Sequence, residues 1–567
     1  MTPTFRQPLL STALALGLAL TAIAACSDAG STGNPSNGSG ANSSAGTATQ
    51  SGSSGMATAG GALGTGGNGT GGASVGVAGA ATAGTGGVPP NPGFDALLGT
   101  TALAANRSVG VEWNAVEGAT SYKVYWAEGA APNNASMSFE VMAPRATFVH
   151  RALTNGTVYQ YAVTAIVGGQ ESALSPPAIA TPTGEWVLEE LGSGIFDDIS
   201  TGTSVPRVPV AKRAHVLMFA EGYTTADLPT FHSDADHDGE RESDVDRWID
   251  YVFSLEPYKD FREAFVVWQL PRASMTHFDG GNTAFMVPVT GSATGAISGT
   301  AETATRAWEA IGTLPVKPTD FGAEGFASAR THVAAFLLYD AARGRAGVSG
   351  RMLGLRNPAE GSQRIAAAFG VGHAHEFTHA FSNLRDEYVE LDNNSPNTSA
   401  TSNVVGTNVC SELPWTHLLA GGAFNASTQE LVGAFGTPAQ GYHSELICLM
   451  NGTHDNATVY GGSGLLRDDD RMCNFCREMT AYRIYSRTGI VEDDEAGFAI
   501  WKSTYRPKFF ERFPFQVPPV VPQTNNVQNP TQGMPHYNAC MAAQQVAPAA
   551  LRVASSQASG PGCIGEE

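Results

Sequence analysis

Period-two alternation dominates the stretch from about residue 94 to 185. Val109, Val111 and Trp113 alternate with other residues, as do Tyr122, Val124 and Trp126, and later Tyr159, Tyr161 and Val163. Such alternation turns every second side chain toward a core. Asn-Gly and Gly-Gly pairs between the runs supply turns. Together they predict a small all-β sandwich over 94–185. Beyond 186 the pattern lengthens. Residues 215–220, 264–270 and 333–339 are continuous apolar runs of strand length, which predicts strands buried on both faces. Residues 352–355 read as a shorter edge strand. Residues 248–253, and Val371, Phe377, Ala380 and Phe381, are apolar at helical spacing. Residues 186–516 are thus expected to form one large α/β domain with a sizeable core.

The flanks have no such pattern. Arg6 precedes an apolar run over 9–25 that ends Ile23-Ala24-Ala25-Cys26. This reads as a signal peptide over 1–25. Its small residues before a Cys resemble the lipobox of bacterial lipoproteins, which implies cleavage before Cys26 and lipidation of that residue. Residues 26–93 are almost entirely Gly, Ala, Ser, Thr and Asn, a flexible tether with an average reach of roughly 45 Å. Residues 517–567 turn rich in Pro, Gln, Asn and Ala, and are expected to be an irregular or disordered tail. No later segment has the roughly 18 apolar residues a membrane helix needs. The details of 94–185 resemble a fibronectin type III domain. Trp113 falls on an early strand, Ala119-Thr120-Ser121-Tyr122 opens the next, and Leu153 to Tyr159 looks like a tyrosine corner. The resemblance implies a spacer or binding surface, and no catalytic cluster falls there.

Charge changes the picture by exclusion. A net charge of −20 with only 15% charged residues argues against nucleic acid and suits an exported protein. It identifies no substrate. The chain has seven Cys. With Cys26 lipidated, an even set is left: Cys410, Cys448, Cys473, Cys476, Cys540 and Cys563. In an oxidising compartment these predict disulfides. Cys540 with Cys563 is favoured, then Cys448 with Cys473 or Cys476. Cys473-x-x-Cys476 has two other readings: a second zinc site with Cys448 and Cys410, or a redox pair, although no thioredoxin-like βαβ unit surrounds it.

The chemistry concentrates in His375-Glu376-Phe377-Thr378-His379. Two imidazoles at i and i+4 share one helix face and can reach one zinc ion. Glu376 lies beside them, placed as general base to take a proton from a metal-activated water and hand it to a leaving amine. A third ligand must follow. In the metzincin pattern a Gly ends the helix and a ligand returns three residues later. Here those positions hold Ser382 and Arg385, and Arg cannot bind a cation. Asn383 can turn the chain back, and Asp386 then becomes the favoured third ligand. Glu387, or a distant Glu430 or Glu445, is the alternative. Tyr388 is a candidate catalytic residue that stabilises the tetrahedral intermediate, or a packed aromatic that closes the turn. Tyr442 and His443 are comparable oxyanion donors. His373 reads as a helix-start residue. Asp234, Asp236 and Asp238, with Gly239, open like a calcium loop. The closing position is Val245, so Asp244 or Asp246 must substitute; otherwise the segment is an acidic solvated flank.

These motifs resemble the bacterial IgA-peptidase family of zinc metallopeptidases. The match lies in the His-Glu-x-x-His run followed by Leu384-Arg385-Asp386-Glu387-Tyr388, with Gly222-Tyr223, Pro257-Tyr258 and Cys448-Leu449-Met450 as flanking matches. Met472-Cys473-Asn474-Phe475-Cys476 departs from the family's Phe-Cys-x-x-Cys in having Phe inside the pair. Glu221 stands near Gly222 where Asp is common. The resemblance covers roughly 205–515. It implies an α/β zincin, metzincin-like, with His375, His379 and Asp386 as zinc ligands, Glu376 as base and Met450 as a Met-turn-like floor under the metal. Nothing in the sequence supports immunoglobulin A as substrate. The resulting expectation is a multidomain chain, a fibronectin type III-like sandwich followed by a zinc endopeptidase. It would be lipid-anchored at Cys26 in the bacterial envelope and act on protein or peptide substrates. The alternative is a non-catalytic surface binding or adhesion protein with a degenerate peptidase domain. Zinc is the expected cofactor and calcium a candidate. Oligomeric state is not readable.

Overall fold

The computed structural model describes residues 98–231, 243–277, 283–287, 301–317, 332–338, 346–349, 352–356, 363–387, 399–419, 432–437, 441–445, 448–451 and 471–517. The first eight strands are Thr101–Ala105 (β1), Ser108–Glu112 (β2), Ala119–Glu128 (β3), Met137–Met142 (β4), Thr147–His150 (β5), Tyr159–Val167 (β6), Gln170–Glu171 (β7) and Ala178–Ala180 (β8). They pair as two antiparallel sheets, β1-β2-β5 and β4-β3-β6-β7, with β8 also on β6. Val109, Val111, Trp113, Tyr122, Val124, Tyr161 and Val163 fill the space between them. The Trp113 and Tyr122 rings meet edge to face at 5.3 Å. The Tyr159 hydroxyl accepts from the Thr154 N–H at 3.1 Å, a tyrosine corner.

A six-stranded sheet follows, from Val187–Leu191 (β9), Ala214–Glu221 (β10), Phe265–Leu270 (β11), His332–Leu338 (β12), Ala346–Ser349 (β13) and Met352–Arg356 (β14), in the order β13-β14-β12-β10-β11-β9. β11, β10, β12 and β14 run parallel, and β9 and β13 close the edges antiparallel. Residues 352–355 therefore lie inside the sheet, not at its edge as the sequence suggests. The edge is β13, whose Ala-Gly-Val-Ser carries no hydrophobic signal of its own.

Every residue of β10 and β11 is buried, because both sheet faces are covered. The helices that bear on the site are Asp244–Val252 (α1), Ala301–Ile311 (α2), Gln363–Ser382 (α3) and Asn474–Arg487 (α4). On one face Val216, Met218, Phe265 and Val267 pack with Trp248 of α1, Ala374, Phe377 and Phe381 of α3, and Ile484 of α4. On the other, Leu217, Phe219, Val266 and Trp268 pack with Ala307 and Ile311 of α2. Alternate residues of one strand thus serve two cores. No helix among the described residues is long and apolar enough to cross a membrane.

The sandwich is joined to the sheet by more than the covalent chain. Arg213, fully buried, donates to the carbonyl of Val208 at 2.9 Å and that of Ser193 at 3.1 Å, and pairs with Glu112 of β2 at 2.8 Å. The Asn106 N–H donates to the Trp186 carbonyl at 2.7 Å.

Candidate metal centre

Helix α3 carries its apolar residues at 374, 377, 380 and 381, and this stripe enters the core. The Phe377 ring meets Trp248 at 5.1 Å and the Phe381 ring meets Phe265 at 5.2 Å. Thr378, also buried, returns its hydroxyl to the Ala374 carbonyl at 2.7 Å. His375 and His379 share the remaining face. The helix begins at Gln363, so His373 is an interior residue and not a helix-start residue.

The helix stops because Asn383 adopts φ 57°, with its N–H on the His379 carbonyl at 3.0 Å. Asn is among the few side chains that take this left-handed turn readily. The returning chain is held by Asn403. Its side chain accepts from the Arg385 N–H and donates to the Arg385 carbonyl, both at 2.8 Å.

This path brings Asp386 Oδ1 to 3.0 Å from Nε2 of both His375 and His379, and those two nitrogens lie 3.0 Å apart. The protonation of this triangle follows from its surroundings. His375 Nδ1 lies 2.7 Å from the Leu449 carbonyl and His379 Nδ1 lies 2.6 Å from the Leu384 carbonyl. A carbonyl only accepts, so each Nδ1 carries the hydrogen. When neutral, each ring then aims a lone pair from Nε2 into the triangle. Two lone pairs and a carboxylate oxygen at 3.0 Å repel unless a cation lies among them. Zinc bonds of about 2.0–2.2 Å set neighbouring donors about 3.3–3.6 Å apart in a tetrahedral site, so a small outward shift of the three donors from 3.0 Å would admit a small divalent metal. In the metal-free chain a proton takes that place. Burial presses the His379 pKa down, but Asp386 outweighs it and the group is pushed up to about 9. Burial opposes ionisation of Asp386, yet the two imidazoles hold it well below the carboxylate range.

Glu376 is partly exposed, between buried Ala374 and Phe377. Burial raises its pKa, against the lowering charge of His379 and His375. Met450 is fully buried, and its carbonyl accepts from the Glu387 N–H at 2.8 Å. It shares the short turn Leu449–Asn451 with the carbonyl that orients His375.

The other candidates are not at the triangle. Glu387 is buried beside Cys476, Cys448 and Cys473. Glu445 accepts from Asn474 and pairs with Arg471. His443 is bonded through Nδ1 to the Glu445 carbonyl at 2.7 Å, and Tyr442 is buried in a short hairpin strand. Asp246 forms a capping box with Ser243, and Asp244 accepts from the Tyr223 hydroxyl at 2.8 Å, so both acids serve the start of α1. Asp234, Asp236 and Asp238, and likewise Tyr388, Glu430, Cys26 and the Cys540–Cys563 pair, lie outside the described residues.

The cysteine expectation needs correction. Cys448, Cys473 and Cys476 are free thiols, and it is Cys410 that is disulfide-bonded. A second site using Cys410 is therefore excluded. Sequence reasoning also missed Leu384, Leu449 and Asn403. The first two act through main-chain carbonyls, which no residue pattern reports. Asn403 is distant in sequence from the residue it clamps.

No protein-family model matches this chain, and no curated protein does. Among solved structures it is similar to fibronectin type III modules, including these three. With the chicken CNTN1 FN1-FN3 domains identity is 14%, over 15% of this chain and 29% of that one, at a TM-score of 0.14. For a Fn3-like protein from Clostridium thermocellum the figures are 24%, 15% and 90%, at 0.13. For an FN3 domain of human collagen XX they are 16%, 17% and 99%, at 0.15. The assignment of the first domain stands on its own strands: two antiparallel sheets, a buried Trp113 and a tyrosine corner make it a fibronectin type III-like sandwich.

Proposed function

We propose that this chain is an exported, zinc-dependent endopeptidase, lipid-anchored through Cys26, with an α/β domain of the zincin type related to the bacterial IgA peptidases. The observation that carries the reading is the triangle of His375, His379 and Asp386, three lone-pair donors held face to face with Glu376 beside them. These residues would hold zinc. When bound, zinc supplies Lewis-acid chemistry, lowering the pKa of water and polarising a carbonyl.

The chain's own groups supply the rest. Asp386 contributes the negative charge of the ligand set. The Leu449 and Leu384 carbonyls hold both rings in the tautomer that presents Nε2. Glu376 follows His375 directly. Its raised pKa favours a carboxylate that takes up a proton from water and returns it to the leaving amine. The fibronectin-like sandwich supports a role in substrate contact or spacing.

The test is digestion of casein or gelatin by the metal-loaded, mature protein, beside Glu376→Gln. Hydrolysis by the wild type that is lost in a Glu376→Gln protein with full metal content supports the reading. A zinc-loaded wild type with no hydrolysis favours the binding-protein alternative.

A further inference from the structure

The chain holds a second convergence of metal-binding groups. Glu387, Cys448, Cys473 and Cys476 are each at most 1% exposed, and one donor atom from each lies within 4.8 Å of the others. We propose that these four residues bind a structural zinc ion, which fixes the segment that presents Asp386.

Four observations converge on this. First, the donor set is three sulfurs and one carboxylate, in the number and kind that close a tetrahedral structural site. Second, the Glu387 carboxylate is half satisfied. Its Oε1 accepts from Asn403 at 2.9 Å and from the Cys476 thiol at 3.2 Å, while Oε2 is buried with no hydrogen-bond partner among the described residues. The nearest cationic candidate, His443 Nδ1, is 3.7 Å from Oε2 and is already committed to the Glu445 carbonyl.

Third, two of the three sulfurs are placed as acceptors. Cys473 caps α4, and its Sγ receives the Cys476 N–H at 3.4 Å, while Cys448 Sγ receives the Cys473 N–H at 3.2 Å. Backbone N–H groups aimed at sulfur at a helix start stabilise thiolate, the form that binds metal. The Ser444 hydroxyl lies 3.3 Å from Cys473 Sγ and adds one more polar contact. Fourth, three sulfurs cannot all be paired: any disulfide among them leaves an odd thiol sealed against Glu387.

The placement gives the ion a structural role. Asp386 and Glu387 are consecutive, and their side chains go to different clusters. Cys448 directly precedes Leu449, whose carbonyl orients His375, and the Met450 carbonyl holds the Glu387 N–H. A metal on these four residues would therefore tie the 448–451 turn, the start of α4 and the 383–387 segment into one support. This inference does not depend on the chain being a peptidase.

The experiment counts metal per chain in the full mature protein by elemental mass spectrometry, with thiols titrated after denaturation in chelator. The expected result is two zinc ions and an alkylatable thiol at each of Cys448, Cys473 and Cys476, located by peptide mapping. A His375→Ala/His379→Ala variant should keep one zinc. Its cobalt form should show an intense thiolate-to-metal charge-transfer band. Cys476→Ser should lose that band and one equivalent of metal. No zinc retained by the His variant, no thiolate band in its cobalt form, or a disulfide among the three cysteines would each overturn the proposal. If Cys476→Ser does not fold, the His-variant count and spectrum still decide it.

Discussion

Replacing Asp386 with Ala should change not only how tightly metal binds but how binding depends on pH. In the metal-free chain Asp386 keeps a proton on His379 up to a pKa of about 9. Metal must displace that proton. At pH 7, about two units below, the displacement costs about 2.7 kcal/mol, or about 100-fold in apparent affinity. Wild-type affinity should therefore rise about tenfold per pH unit between 7 and 9. Without Asp386 the Glu376 charge and the Leu384 carbonyl still raise the His379 pKa, but burial lowers it and its largest raising partner is gone. The variant should therefore have less proton to displace, and a flatter profile. It still loses a ligand, which should cost at least the 10–100-fold typical of outer-shell partners. The ratio of wild-type to variant affinity should thus shrink from pH 9 to pH 7, by at most about 100-fold. Competition against chelators of known affinity, with metal counted per chain, measures it. Parallel pH profiles for the two proteins would refute the protonated triangle. An Asp386→Ala variant that binds as tightly as wild type at pH 9 would refute the ligand itself.

Glu376→Gln should keep its metal and fold while turnover drops about 10²–10⁴-fold, read by peptide hydrolysis beside a metal count. Asn383→Val should cost about 1–2 kcal/mol through the left-handed turn and weaken metal binding by displacing Asp386, whereas Asn383→Gly should be tolerated in both urea unfolding and metal titration. Glu112→Ala should destabilise by about 1.5–3 kcal/mol in urea, because it strips the charged partner from a fully buried Arg213; an unchanged midpoint would show that the carbonyls alone suffice. Cys26→Ser should move the protein out of the membrane fraction, and continued sedimentation with membranes at mature size would locate the anchor elsewhere.

What the sequence makes legible follows from the range of its signals. Local periodicity reports strands such as 214–221 and 265–270, where nearly every residue is apolar and buried. It fails at 346–349, where pairing with β14 rather than side-chain pattern makes the strand. His373 reads as a helix-start residue, yet the helix runs on from Gln363 through Gly370 and Gly372. A Gly inside a helix costs only about 1 kcal/mol, which tertiary packing can offset. The spacing of His375 and His379 is a property of helix geometry, so it is readable without a structure. Which of Asp386 and Glu387 faces the imidazoles depends on the backbone path after Asn383 and on the Asn403 clamp. Cys448, Cys473 and Cys476 read first as disulfide partners on the premise of an oxidising compartment, with a zinc site that uses Cys410 as a further reading, and only the fold brings the buried Glu387 carboxylate to them in place of Cys410.

Both imidazoles at the triangle are steered by main-chain carbonyls, not by carboxylates. Because a carbonyl is neutral, two neutral rings and one aspartate would leave a net charge of one plus on binding a divalent ion, which the glutamate beside them could cancel. An acidic orienting residue would remove that surplus. The arrangement also has no side chain to lose. Point substitution at Leu384 or Leu449 changes what packs there but leaves the oxygen in place, so the basicity of these rings answers to the course of the backbone and not to residue identity.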